Sequence, residues 1–474
     1  MSRRLSGQQA ASVGSWSGPL TARWVRAVSI WPESAPAPSC TRSERSGGEA
    51  SARCGASAHG GGDEMADLKA IIGGTLIDGT GAEPVTDATV LVRDGRIEAA
   101  GESASVEMPE GAKVIDASGL TVMPGLIEGH AHVGGSTKDE QVLRISLQRG
   151  ITTVCSVSAN VKGIALRDGI EAGHVRGCAR LIAGCIVTPT NGHVRFRDAD
   201  GPWEVRKAVR EMVEAGADFI KTAASGGFAG QHEICSMQNY TPEELCALAD
   251  EAHAWHVPVV VHCHTQPGLN NAIEAGIDQI HHGAFIDEEA VRGILEADLW
   301  YMPTLAVTCQ RNIDAKQDRP WETEEMTQAQ PIHREGVRLS SEIGVKLCVG
   351  TDYPGTGKTW KIGDRTIYEL MELEQCGLSR MDALVAATRT NAEAYRLDDL
   401  GTLESGKRAD MVLLDGDPLA GFDAVYDHHN VKLVLKDGTV EFADGEFMRH
   451  YTLREPQPPG RPAYEDHDGP EARQ

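Results

Sequence analysis

The stretch Val122-Met-Pro-Gly-Leu-Ile-Glu-Gly-His-Ala-His132 decides how this chain folds. An apolar run enters it, and two histidines one residue apart, His130 and His132, close it. Residues two apart on a strand share a face. Both imidazoles can therefore reach one metal ion from the end of a single strand. His-X-His alone arises by chance in many chains, so its weight depends on what the later strand ends carry.

Working outward, residues 124–396 alternate short apolar strands with helical stretches, the pattern of parallel β/α units. The strands are expected to end at His132, Val157, Thr188, Ala224, Thr265, Phe285, Leu305 and Asp352. Eight such ends predict an α/β fold closed as a (β/α)8 TIM barrel. Thr137-Lys-Asp-Glu140 and Thr241-Pro-Glu-Glu244 fit capping boxes at helix starts. Glu-Ala-Gly-X-Asp recurs at 214–218 and 274–278, each time where a helix gives way to a strand. It is a structural repeat.

Two β-rich segments flank the barrel. Strands are expected at Ala70–Ile77, Ala88–Arg93, Arg96–Gly101, Lys113–Asp116 and Leu120–Val122, then at Ala409–Leu414, Val431–Lys436 and Thr439–Phe442. Asp94-Gly95 and Asp437-Gly438 mark hairpin turns. A small β-sandwich built from both chain ends follows. The expected division is an extension over 1–64, the N-terminal half of the sandwich over 65–123, the barrel over 124–396, the C-terminal half of the sandwich over 397–450 and an irregular tail over 451–474. Residues 1–64 are rich in Ser, Gly, Ala and Arg without periodicity, and Met65 opens a far more orderly text. This reads as a disordered or misassigned extension, with Met65 the natural start.

Composition narrows the function. Of 474 residues, acidic side chains exceed basic ones to give a net charge of −24, which disfavours nucleic acid. The 11 cysteines are scattered and form no Cys-X-X-Cys, which suits a reducing cytosol rather than a disulfide framework. No apolar run is long enough to span a membrane.

Catalytic groups of such barrels sit at the C-terminal strand ends. Strand four, Asp-Phe-Ile-Lys-Thr-Ala-Ala, carries Lys221 among apolar neighbours, where a lysine is costly unless paired or modified. Carboxylation by carbon dioxide would make it an anionic carbamate able to bridge two metals. Strand five places His262 and His264 on one face and turns Cys263 away. Strand six ends in His281 and His282, which alternation sends to opposite faces, so only one is expected inside. Strand eight ends in Asp352, able to ligate a cation and to accept a proton. Imidazoles and a carboxylate without thiolates suit zinc or a similar divalent ion. A lone histidine is more often a satisfied core residue than a ligand, but so many at one barrel's strand ends argue together for two divalent metals.

These segments, with Ser-Gly-Gly after Lys221 and Gly-Thr-Leu-Glu-Ser-Gly-Lys-Arg-Ala-Asp-Met-Val near the end, resemble the amidohydrolase superfamily over about residues 67–445. The likeness is greatest to its prolidase-like and imidazolonepropionase-related branch. The resemblance implies that His130 and His132 bind the more buried metal, that Lys221 as carbamate bridges both, and that His262 and His282 bind the second. It implies that Asp352 ligates the first metal and shuttles a proton from the attacking hydroxide to the leaving amine. His264 would touch the substrate carbonyl or oxyanion. His281 stands where the family usually has Glu and is expected to face away from the pocket. After strand three, Thr-Pro-Thr-Asn-Gly-His193-Val-Arg195 offers His193 as a substrate contact and Arg195 as a bidentate carboxylate reader; either that arginine or Arg197 reads equally as a solvated charge.

The expected reaction is hydrolysis of an amide C–N bond in a dipeptide, such as Xaa-Pro, or an N-acyl amino acid, by a cytoplasmic homo-oligomer. The alternatives are a xenobiotic amide, urea or carbamate, a mononuclear deaminase, and a noncatalytic scaffold. Gly355-Thr-Gly-Lys-Thr359 mimics a phosphate loop, but the earlier glycine that loop requires would fall at Asp352. It reads instead as a loop over the pocket, with Tyr353 and Lys358 near substrate. The polar segment Gln310–Gln330 reads either as a lid or, preferably, as the outer helix of unit seven.

Overall fold

The structure, a computed structural model, describes residues 67–136, 138–353 and 362–445. The extension over 1–64, the tail over 451–474, Thr137 of the first capping box and the loop at 355–359 with Lys358 lie outside the described residues.

Strands β1 Leu68–Leu76, β2 Val85–Arg93, β3 Arg96–Glu102, β4 Lys113–Asp116 and β5 Thr121–Pro124 come first. The barrel strands follow as β6 Leu126–Ala131, β7 Ile151–Ser156, β8 Arg180–Thr188, β9 Phe219–Ala223, β10 Val259–Cys263, β11 Gln279–His282, β12 Trp300–Met302 and β13 Lys346–Leu347. The chain closes with β14 Met411–Leu414, β15 Val431–Lys436 and β16 Thr439–Ala443. One sheet runs β16-β15-β14-β5-β1-β2-β3, with β4 on β1, so both ends of the chain share it. Its pairing is mostly antiparallel, and alternate side chains such as Ile71, Val90, Val122, Leu413 and Leu435 form its own apolar core.

Strands β6 to β13 pair in parallel, each with its sequence neighbour. The seam between first and last closes where Gly129 N–H donates to Val349 O at 3.0 Å and Ala131 bridges Tyr353. The result is a (β/α)8 barrel. Its strands are buried on both faces, as the unbroken runs Val-Val-Val in β10 and Leu-Ile in β6 require. Helices α1 Asp139–Gln148, α2 Val161–Glu171, α3 Pro202–Ala215, α4 Pro242–Ala254, α5 Gly268–Glu274, α6 Glu288–Glu296, α7 Pro320–Ile343 and α8 Ile362–Gln375 form the outer ring.

Local signals explain many boundaries. Thr241 caps α4 in a full capping box with Glu244, with Pro242 in the first turn. Helix α1 starts after Lys138, and its buried Asp139 accepts from the Gly134 and Ser136 amides. The repeated Glu-Ala-Gly-X-Asp has a structural use: Gly216 ends α3 at φ +96°, and the two aspartates accept from strand amides, Asp218 from Ala183 at 2.7 Å and Asp278 from Val259 at 2.8 Å. Residues 320–343 form the long outer helix α7 and Gln310–Ala315 a short helix before it, so the segment after strand seven is largely helical, as preferred.

Strands five to seven end two or three residues earlier than the sequence suggests. In strands six and seven the backbone turns left-handed there, at His282 (φ +77°) and Thr304 (φ +54°), and a β ladder cannot continue through such residues. The turn at His282 also corrects the expected alternation. His281 and His282 are both buried inside the barrel, because the left-handed residue swings the second side chain back toward the first.

Asn391, fully buried, staples the seam: its Nδ2 donates to Ile127 O and Val349 O, and its Oδ1 accepts from Val349 N–H. At roughly 1 kcal/mol per buried hydrogen bond, Asn391→Leu should destabilise the protein by about 3 kcal/mol, read as a lower urea midpoint. An unchanged midpoint would show that the seam is held elsewhere.

Candidate metal centre

Two groups of nitrogen and oxygen donors face one small cavity at the C-terminal end of the barrel. In the first, His132 Nε2 lies 2.9 Å and His130 Nε2 3.3 Å from the same Asp352 oxygen. In the second, His262, His264 and His282 bring their ligating atoms within 4.8 Å of one another. Lys221 lines the cavity between them, together with His130, His132, Ile186, Thr188, His193, Val194, His262, His282 and Asp352.

Second partners decide which nitrogen each ring offers. His262 Nε2 is 3.0 Å from Gly226 O, a group that can only accept, so this nitrogen carries the proton and Nδ1 is left bare. His282 Nδ1 is occupied by the Thr304 hydroxyl at 2.8 Å, which leaves Nε2. His264 Nδ1 is buried and makes no hydrogen bond to the described residues. A buried nitrogen without a partner is costly, and a divalent cation among imidazoles would satisfy it. By this observation and by the donor chemistry, the residues present fit a zinc-like ion.

The electrostatics agree with the geometry. Burial raises the Asp352 carboxyl, but the adjacent His130 and His132 rings, with the His132 hydrogen bond at 2.9 Å, outweigh it and hold the group well below the usual range. Burial pushes Lys221 down to about 7, partly opposed by Asp352. A lysine so placed is substantially neutral at physiological pH, and the neutral amine is the form that reacts with carbon dioxide. Burial likewise drives His130 down to about 3 and keeps the ring neutral.

The remaining sequence-selected residues are distributed as follows. His193 lines the cavity, stacks on the His262 ring at 3.8 Å and gives its Nδ1 to Glu233 at 2.8 Å. This stacking depends on Gly227, where a Cβ would sit 2.4 Å from the His193 ring. Arg195 lies outside the cavity; its side chain is 55% exposed and paired with Asp198. Arg197 is held by Glu211. Tyr353 packs on the main apolar core and meets the site through its backbone, accepting from His132 N–H. His264, expected to touch the substrate carbonyl or oxyanion, is covered by Phe228, stacks on His282 and does not line the cavity, so it packs with the second donor group instead.

Several residues that shape the site escaped the sequence reading. Glu128 is fully buried and ties strand one to strand eight: it accepts from His130 N–H, Thr351 N–H, Thr351 Oγ1 and Thr366 Oγ1. Burial raises its carboxyl to about 7 despite those bonds. Glu369 on α8 accepts from the Leu305 and Ala306 amides and fixes the turn after β12. His281 was expected to face away; it instead lies inside the barrel, 2.7 Å from His130 Nδ1 and 3.4 Å from Lys221 Nζ. A buried charged residue in an apolar strand was the available signal for Glu128, the same one that selected Lys221. No local signal marked Glu369.

Comparison with known proteins bears on this geometry. The profile of the amidohydrolase family matches residues 121–440. An ochratoxinase from Aspergillus niger is 24% identical over 427 residues, spanning 79% of this chain and 87% of the relative. The crystal structure of a Xaa-Pro dipeptidase with bound methionine in the active site superposes with a TM-score of 0.70 at 28% identity, covering 79% of this chain and all of that one. Molinate hydrolase superposes at 0.66 with 26% identity, covering 82% and 97%.

Because these buried donors crowd one cavity and His264 Nδ1 has no hydrogen bond to the described residues, metal removal should be visible as lost stability. An ion held at a hundred times its dissociation constant adds about 2.7 kcal/mol. Chelation should therefore lower the melting temperature and divalent metal should restore it, and Asp352→Asn should blunt the response. A melting temperature indifferent to chelator and metal would contradict the site.

Proposed function

The chain belongs to the amidohydrolase family, and we propose that it is a binuclear metal-dependent hydrolase that cleaves the amide C–N bond of a dipeptide or N-acyl amino acid. The observation that carries this reading is the pair of donor groups around one cavity with Lys221 between them. His130, His132 and Asp352 would hold one ion, and His262 and His282, with His264 behind them, the other. Lys221, as its carbamate, would join the two.

Divalent ions bound here supply a water activated at neutral pH and a Lewis acid for the carbonyl. The chain's own residues do the rest. Asp352 stays ionised, so it accepts the proton from the attacking water and passes it to the leaving nitrogen. Ile186, Val194 and Ala223 give the cavity an apolar wall that limits water. Glu233 holds His193 by Nδ1, which leaves Nε2 to meet the substrate beside His262. We assign to His193, already expected as a substrate contact, the carboxylate reading that the sequence suggested for Arg195.

A second reading has its own observation. Among the described residues, no arginine lines the cavity, so a substrate without a carboxylate fits as well. The likeness to a molinate hydrolase supports keeping this reading beside the first.

Lys221→Ala should lose at least about a hundredfold in turnover, since the bridging ligand organises both ions, and should retain fewer ions per chain. Turnover at the wild-type rate in a metal-replete variant would exclude the bridge. A hydrolysis screen of Xaa-Pro dipeptides, other dipeptides, N-acyl amino acids and aryl amides or carbamates separates the two readings. His193→Ala should raise KM for the carboxylate-bearing substrates, while Arg195→Ala leaves it unchanged. A large loss in Arg195→Ala would return the carboxylate to that loop.

A further inference from the structure

We propose that His281 is a positioning residue that fixes the tautomer of the metal-binding His130 through a hydrogen-bonded chain ending on the backbone carbonyl of Ala394.

The chain is read from its far end, where the chemistry leaves no choice. A backbone carbonyl only accepts. Gln279 Nε2 lies 2.6 Å from Ala394 O, so the amide group donates there and its Oε1 faces the other way. That oxygen is 3.3 Å from His281 Nε2 and can only accept, so His281 carries its proton on Nε2. A neutral imidazole protonated at Nε2 has a bare Nδ1. His281 Nδ1 is 2.7 Å from His130 Nδ1, and two bare nitrogens would repel at that distance. His130 therefore carries its proton on Nδ1 and turns an unprotonated Nε2 toward Asp352 and the cavity.

Each link is secluded from water. Gln279 and His281 are fully buried, and His130 is 1% exposed. Gln279 and His281 sit two residues apart on β11, so both face the barrel interior, one beneath the other. The same His281 nitrogen is 3.4 Å from Lys221 Nζ, which gives an N–H on that lysine the same acceptor. His281 thus meets one member of the first donor group and the lysine between the groups, without lining the cavity.

The inference rests on the metal reading above, because only a ligand needs its Nε2 kept bare. Outer partners of this kind typically contribute about 10- to 100-fold to metal affinity. The test is chelator-competition affinity for zinc, with metal content and apo-protein melting temperature measured on the same samples. His281→Phe keeps the ring volume and removes the acceptor; it should bind zinc at least about tenfold more weakly with a native-like apo melting temperature. His281→Asn restores an acceptor and should recover most of the affinity. Gln279→Met, which touches no ligand, should weaken binding in the same direction and serves if His281→Phe does not fold. Wild-type affinity in both His281→Phe and Gln279→Met would overturn this inference alone. A wild-type protein that holds no divalent metal at all would overturn the metal reading and this inference with it.

Discussion

A nitrogen ligand buried away from water must find a partner, and at the mouth of this barrel the partners are used up on one side only. Gly226 O takes one nitrogen of His262, Thr304 one of His282, and His281 one of His130. Each ring keeps its other nitrogen for the cavity. Burying such a set unsatisfied costs on the order of 1–3 kcal/mol per group, so the barrel has to be stiff enough to hold it. The stiffness has identifiable sources. Glu128 and Asn391 lock the seam between strands one and eight, and Glu369 locks the turn after strand seven.

The same logic reaches the small β domain. Arg180, at the entry of barrel strand β8, pairs with Glu171, Asp410 and Asp437, and Arg408 joins Glu171, Asp399 and Asp437. Lys436 donates to Cys178 O, and Glu441 accepts from Gly177 N–H. These contacts tie the sheet made by both chain ends to the bottom of the barrel, the end opposite the donors. Bonds made there secure the scaffold, while the C-terminal ends stay free for chemistry.

Much of this was legible in the sequence because apolar period and turn chemistry agreed. The order of the strand runs, the two Asp-Gly hairpins and the Thr241 capping box sit where propensity puts them, although strands five to eight end early. Most candidate ligands were legible too, since a polar residue at the end of an apolar strand has few reasons to be there. What escaped depends on backbone that leaves the ideal strand. Strict alternation sends His281 outward, and only the left-handed turn at His282 brings both rings inside. Arg195 was misplaced for a simpler reason: Asp198, three residues on, offers its guanidinium a local partner, and a loop charge with a neighbour of opposite sign does not reach for the cavity.

Four of the left-handed residues line the rim. Val194, His282, Thr304 and Asp352 all have positive φ, at +50°, +77°, +54° and +57°. For a branched residue such as valine or threonine this conformation costs roughly 1–3 kcal/mol, so the surrounding bonds must over-determine it. They do so unequally. Thr304 and its neighbours are held by Glu369 and by the ring of His282, and Asp352 follows Thr351, which Glu128 grips by both backbone and side chain. Val194 stands on a loop held by His193 on Glu233, by the Arg195–Asp198 pair and by the Thr188 hydroxyl, which donates to Val194 O at 3.4 Å. Donor geometry is thus set by buried bonds to the scaffold, whereas the Val194 part of the cavity wall also depends on side-chain contacts made by the loops after strands three and four. A change of substrate can then arise in the loops after strands three and four without disturbing the ligands beneath them.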